Sequence, residues 1–280
     1  MLVEFSLVAL VLYLLLAASI EFGRAIFDAQ AAADAARVAA RELALTPLPA
    51  GATFDDALAD PTVKARIFDP DLLVVDLDAF PPGTALDQVF AAMPIVNRML
   101  RPLMIEERVT IAGGDRNLLR YPGALLTSAT SPTGLTVAIP EVVARANDGT
   151  ETIRWLSVLE EIRPDPADPL SGPFSVLSTG PDQGLVALRV NVPFQAAALS
   201  GYMHQGGGTF DPNGTNVIVA NDAGVAQVNA APGGLVDADS SSPVYSGPFG
   251  LGQQLALGKT VRPFRKLVSA QSIYRREVFR

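Results

Sequence analysis

The chain has 280 residues, 49% of them hydrophobic, a formal charge of −8 and no cysteine. This length is enough for one substantial domain plus an anchor. The missing cysteine excludes disulfides, thiolate nucleophiles and cysteine metal sites, and the acidic balance argues against a general nucleic-acid binder.

Residues 2–20 are nearly all apolar, broken by Glu4, Ser6 and Ser19. A hydrocarbon core takes roughly 20 apolar helical residues, so this run is long enough to span one. A cleavable secretory signal is the competing reading. It requires a basic start and a small-x-small site; Ala17-Ala18-Ser19 offers the latter, but no Lys or Arg precedes the run. Glu4 lies three residues into the oily helix, where a carboxylate is costly in lipid and needs a partner. Its position near the chain start also fits a carboxylate wetted at headgroup level.

The helical pattern continues through Glu21-Phe22-Gly23-Arg24 into an alanine-rich stretch ending at Leu45, before Thr46-Pro47-Leu48-Pro49-Ala50-Gly51. Proline cannot continue the helical ladder, so the helix stops there. Ile26, Ala29, Ala33, Ala36, Ala40 and Leu43 follow a three-four spacing along one face. Such a small-residue face allows close helix approach, and Ala29, Ala33, Ala36 and Ala40 are the expected packing residues. The predicted organisation is an N-terminal hydrophobic and alanine-rich helix, 1–46 with its span at about 2–20, and a head, 47–280.

Beyond the helix the pattern is mixed. Residues 54–68 read as short helix and turn, 71–80 as a strand, and 84–100 as a helix interrupted at Pro94. Strands are predicted at 105–112, 135–139 and 153–162, with a turn at 113–115 and a loop at 163–182. Residues 184–194 are the clearest strand: Val186, Leu188, Val190, Val192 and Phe194 form a fully apolar alternate set. A hairpin is expected around Asn221-Asp222-Ala223-Gly224, a surface loop at 230–252 and a strand within 260–278. The fold class is α+β: a long N-terminal transmembrane helix, then a mixed, mainly antiparallel β-rich head.

Chemistry-bearing motifs are sparse. His204 is the only histidine and stands before Gly206-Gly207-Gly208, so it makes no zinc site with cysteine and reads as a loop residue. No nucleophile elbow, P-loop or dinucleotide fingerprint is present. Residues 211–216 (DPNGTN) have oxygen ligands at alternate positions but no later acid, so a turn is preferred to a calcium loop. Glu160 and Glu161, adjacent on a strand, face opposite ways and read as a solvated edge. Seven basic residues lie between Lys259 and Arg280 against one acid, Glu277. Dispersed in this way, they read as a solvated face rather than a docking block. No enzyme, metal site or cofactor is expected.

The runs Val3-Glu4-Phe5-Ser6-Leu7-Val8 and Ile20-Glu21-Phe22-Gly23-Arg24-Ala25, followed by Ala35-Ala36-Arg37 and Ala39-Ala40-Arg41, resemble TadE-like proteins. These are minor pilins or pseudopilins of tight-adherence (Flp, type IVb) pili. Val190-Asn191-Val192-Pro193-Phe194 and Arg275-Arg276-Glu277 resemble the family's late strand and C-terminal motif. The resemblance implies a single-pass inner-membrane prepilin with an extracytoplasmic head, reaching the cell exterior in a pilus. Its implied partners are other pilins, the inner membrane and a prepilin peptidase, with no nucleic acid. Glu4 and Phe5 are the implied residues for peptidase recognition and assembly. The family carries a short basic leader ending in Gly, with four residues before the glutamate, whereas three precede Glu4 here. The resemblance therefore implies either a true start further upstream or a chain lacking a residue or more of the mature N-terminus, and the peptidase is a partner if a leader exists upstream. The rival readings are a tethered periplasmic binding or scaffold protein and an exported hydrolase on a signal anchor.

Overall fold

A computed structural model describes residues 2–111, 114–128, 130–145, 151–164, 172–178, 182–195, 227–228 and 265–277. The expected hairpin is outside these residues, except Gln227-Val228, as are the 230–252 loop, His204, Gly206 to Gly208 and residues 211–216.

One helix, α1, runs unbroken from Leu2 to Leu45, a length of about 66 Å at 1.5 Å per residue. Its end is closed by three separate donors. Thr46 sends its hydroxyl to Glu42 O at 2.7 Å and its amide to Leu43 O at 3.3 Å. The amide of Glu277, from the other end of the chain, donates to Ala44 O at 3.1 Å. The last carbonyls of a helix have no internal partner, so these bonds satisfy groups that would otherwise need water.

Two short helices follow, α2 (Phe54–Ala59) and α3 (Pro61–Arg66). Thr53 and Asp56 form a reciprocal capping box on α2, and Asp60 caps α3, whose first residue is Pro61. The strand expected at 71–80 is cut down to β1 (Val74–Asp76) between two 3-10 turns. Asp69 and Asp76 cause this, because each carboxylate accepts the amide two residues on and so favours a turn over extension. Helix 84–100 is two helices, α4 (Leu86–Ala91) and α5 (Ile95–Leu100), with Pro94 starting the second.

The strands are β2 (Ile105–Ile111), β3 (Gly114–Arg120), β4 (Ala124–Thr127), β5 (Leu135–Arg145), β6 (Glu151–Leu156), β7 (Leu159–Glu161), β8 (Leu185–Gln195), β9 (Gln227–Val228) and β10 (Arg265–Arg275). They form three sheets with orders β1-β3-β2, β10-β8-β7 and β4-β5-β6-β9; every pairing is antiparallel except β6 with β9. The α+β class with a mainly antiparallel head is thus observed. The predicted strand 153–162 is two strands, and β3 and β4 were not foreseen.

The second half of α1 belongs to the head's core. It lies along β8 and β10 and against α5. Ala32, Ala35, Ala36, Ala39, Ala40 and Leu43 share one buried cluster with Val186, Leu188, Val190 and Val192 of β8 and Val96 and Leu100 of α5. The alternate apolar set of β8 therefore faces inward as its pattern requires, with Phe194 half-buried at the end.

Candidate functional site

Two surfaces of α1 do different work. Residues 3–16 are exposed throughout, including Phe5 at 72%, and exposure of large apolar groups continues to Phe22 at 69% and Phe27 at 53%. A soluble monomer rarely presents an apolar surface of this extent, which marks a membrane or protein contact. The helix is long and apolar enough to cross a membrane, and its most apolar window is entirely uncovered by the rest of the chain. Glu4 and Phe5 both lie on this exposed part.

The alanine face is placed differently from the expected one. Ala36 and Ala40 are fully buried, but their covering is the chain's own β8, β10 and α5. Ala29 and Ala33 are half-buried at the margin, and Ile26 is exposed. The seam runs through Ala32, Ala35, Ala36, Ala39 and Leu43. Methyl side chains let the helix axis come close to the sheet, as interaxial spacing depends on the side chains at the contact. Ala36 and Ala40 thus have no surface left exposed within the subunit.

The C-terminal basic segment is also reassigned in part. Arg276 is 3% exposed. Its guanidinium donates to Phe174 O at 3.2 Å, Leu48 O at 3.0 Å and Pro49 O at 3.1 Å, and lies 4.6 Å from the Phe174 ring centroid. A planar fork with several donors suits divergent carbonyls, which an ammonium cannot match. Burial pushes the Arg276 pKa down from its ordinary value. Together with the Glu277 amide on Ala44, Arg276 fastens the C-terminal strand to the end of α1 and the first turn of the head. The Arg275-Arg276-Glu277 motif was the available signal, but composition alone read it as solvated.

Glu160 and Glu161 do face opposite sides of β7, yet neither is a free edge carboxylate. Glu160 pairs with Arg189 and accepts from Asn191 Nδ2 at 3.0 Å. Asn191 is fully buried and also donates to Ser157 O at 3.0 Å and accepts from Ser269 Oγ at 2.7 Å. Glu161 accepts the Phe174 amide at 2.8 Å and Arg163 Nε at 2.9 Å. Desolvation raises its pKa, and those two donors oppose the rise. A Cβ at Gly172 would sit 2.2 Å from Glu161 Oε2, so the loop approaches this carboxylate as only glycine permits. These groups brace the Phe174 loop that Arg276 holds from the other side.

Another polar group ties the helical part of the head to the sheets. Asp71, 8% exposed, accepts from Lys64 Nζ at 3.1 Å and Thr130 Oγ1 at 2.9 Å. Asn97 exchanges a pair of hydrogen bonds with the Asp69 backbone at 2.9 and 2.8 Å. Each donor and acceptor here has a structural partner, and the cluster reads as scaffolding. Among the described residues no group of three or more His, Cys, Asp or Glu could hold a metal ion.

Residues 1–41 match the family model described as TadE-like protein. No curated protein and no solved structure matches the chain. The matched stretch contains the exposed apolar half of α1 and most of the alanine seam, while the head lies beyond it. The chain is similar to TadE-like proteins over residues 1–41, which make up most of its N-terminal helix.

Proposed function

We propose that this protein is a minor pilin or pseudopilin-like structural subunit of a tight-adherence pilus or a related secretion apparatus. It is held in the inner membrane by residues 2–20, with its head on the extracytoplasmic side, and is processed by a prepilin peptidase acting ahead of Glu4 and Phe5. Assembly transfers the exposed half of α1 from lipid into a bundle of sister helices. There Glu4 meets the N-terminal amine of a neighbour, so that two charges costly in an apolar medium neutralise each other. The observation carrying this reading is the division of one continuous helix: an uncovered apolar stretch, Val3 to Leu16, and a second half sealed into the head. The subunit can then exchange lipid for protein around its first half without disturbing its head.

A Glu4→Ala variant tests this. Its expected behaviour is normal membrane insertion with loss of incorporation into filaments. Normal pilus number and composition would refute the assembly mechanism. The alternative, a membrane-tethered periplasmic scaffold, gains support from the alanine seam being used within the subunit, and that same result would favour it.

A further inference from the structure

The β8–β10 ladder has a defined direction along α1. Its Leu185/Arg275 end is beside the helix C-terminus, where Arg276 and Glu277 reach Leu48, Pro49 and Ala44. Its other end, where Gln195 pairs with Arg265 and Phe194 with Lys266, is beside Arg24. The Arg24 guanidinium carbon lies 5.7 Å from the Phe194 ring centroid, within cation–π range. Both strands have 11 residues, about 35 Å at the usual strand rise. That is close to the helical distance from Arg24 to Leu45, about 32 Å.

This geometry fixes the height of the Arg24 end above a bilayer. Arg24 is four residues past Ile20, or about 6 Å along the helix axis. The headgroup layer is roughly 5–7 Å thick on each side of the hydrocarbon core. With residues 2–20 in lipid, the proximal end of the ladder is therefore level with the phosphates. Three basic positions lie at that level: Arg24, and by backbone register Arg265 and Lys266 on opposite faces of the strand, in a chain whose formal charge is −8. Glu21 offsets part of the Arg24 charge across 3.3 Å, and Asp28 is a turn further from the bilayer. Arg24 keeps about half of its side chain exposed.

We infer that the proximal end of the β8–β10 ladder is a docking surface for anionic phospholipid headgroups, seating the head on the membrane before assembly. The inference rests on the membrane-anchored reading above. Its physical basis is charge complementarity continuous with the apolar span: the acidic body is repelled by an anionic leaflet, and this end is attracted. The attraction of one basic residue to such a surface corresponds to about a five-fold change in equilibrium.

The test uses the full chain in nanodiscs of phosphatidylcholine alone or mixed with phosphatidylglycerol. Amide hydrogen exchange is compared at residues 190–195 and 265–270, with 272–277 at the distal end as the internal reference. Slower exchange, about five-fold or more, is expected at the proximal end in the anionic discs only. It should be reversed by high salt and by a combined Arg265→Gln and Lys266→Gln variant. Stable incorporation with identical exchange in both lipids would overturn headgroup docking alone. Failure of the chain to co-isolate with either disc would overturn the anchoring and this inference with it.

Discussion

Replacing Ala36 by glutamine distinguishes the two possible uses of the alanine face. Ala36 is 0% exposed, in the seam with β8 and α5. The substitution adds an acetamide group to a methyl site. Overpacking a well-filled core costs about 1–3 kcal/mol. Burying an amide without a hydrogen-bond partner costs about 1–3 kcal/mol more. The expected loss is therefore about 4 kcal/mol, a large part of the 5–15 kcal/mol typical of a folded domain. Arg37→Gln is the control. Arg37 is exposed on the same helix, paired with Asp34 at 2.9 Å, and its loss should change stability by no more than about 0.5 kcal/mol. Urea denaturation of the full chain in detergent micelles, followed through the fluorescence of Trp155, the only tryptophan, measures both. With a slope near 2 kcal/mol/M, Ala36→Gln should lower the midpoint by about 2 M. A midpoint within about 0.3 M of wild type would refute the placement of this face inside the subunit. If the loss occurs, missing filaments in this variant report a damaged head, and assembly must be probed instead at residues 3–27.

Arg276→Ala leaves the carbonyls of buried Leu48 and Phe174 without this donor, while Pro49 O keeps the Ala52 amide, and removes a cation from the Phe174 face, an expected cost of about 3 kcal/mol; Arg276→Lys should recover about half, both measured by the same urea titration. Gly123→Ala places a methyl 2.6 Å from Val137 Cγ1 and 2.8 Å from Ala138 O at φ +151. It should cost about 2–3 kcal/mol in backbone strain and displacement, visible as a lowered Tm. Glu161, with its folded pKa raised by burial, binds its proton more tightly folded than unfolded. Its contribution to stability is full below the ordinary glutamate pKa, about 4.3, and is lost as pH rises through the raised value. Glu161→Gln, which mimics the protonated form, should therefore fall short of wild type by less at pH 7 than at pH 4. A gap that widens with pH would contradict the burial-dominated shift.

Much of α1 was legible before any coordinates. Its length, its apolar first half and its stop at Thr46 and Pro47 follow from local rules: backbone periodicity, hydrocarbon thickness and the missing amide of proline. The inward face of β8 was legible for the same reason, since alternation along one strand reports which side is dry. The shortening of β1 was also written locally, in the side chains of Asp69 and Asp76, whose turn-forming hydrogen bonds override the strand's hydrophobic alternation.

The sequence by itself determined a continuous helix with a small-residue face and an uncovered oily half. Tertiary structure alone decided what the small-residue face packs against, because an alanine stripe accepts a sheet or another helix equally well. It also decided that Arg276 is a buried clamp, since the carbonyls it holds belong to residues more than a hundred positions earlier. The same holds for Glu160 and Glu161, whose partners come from β8 and from the loops flanking Phe174 and Arg163. Periodicity reports a residue's own element. A charge is buried or bared by the elements brought against it, and that pairing exists only once the chain has closed on itself.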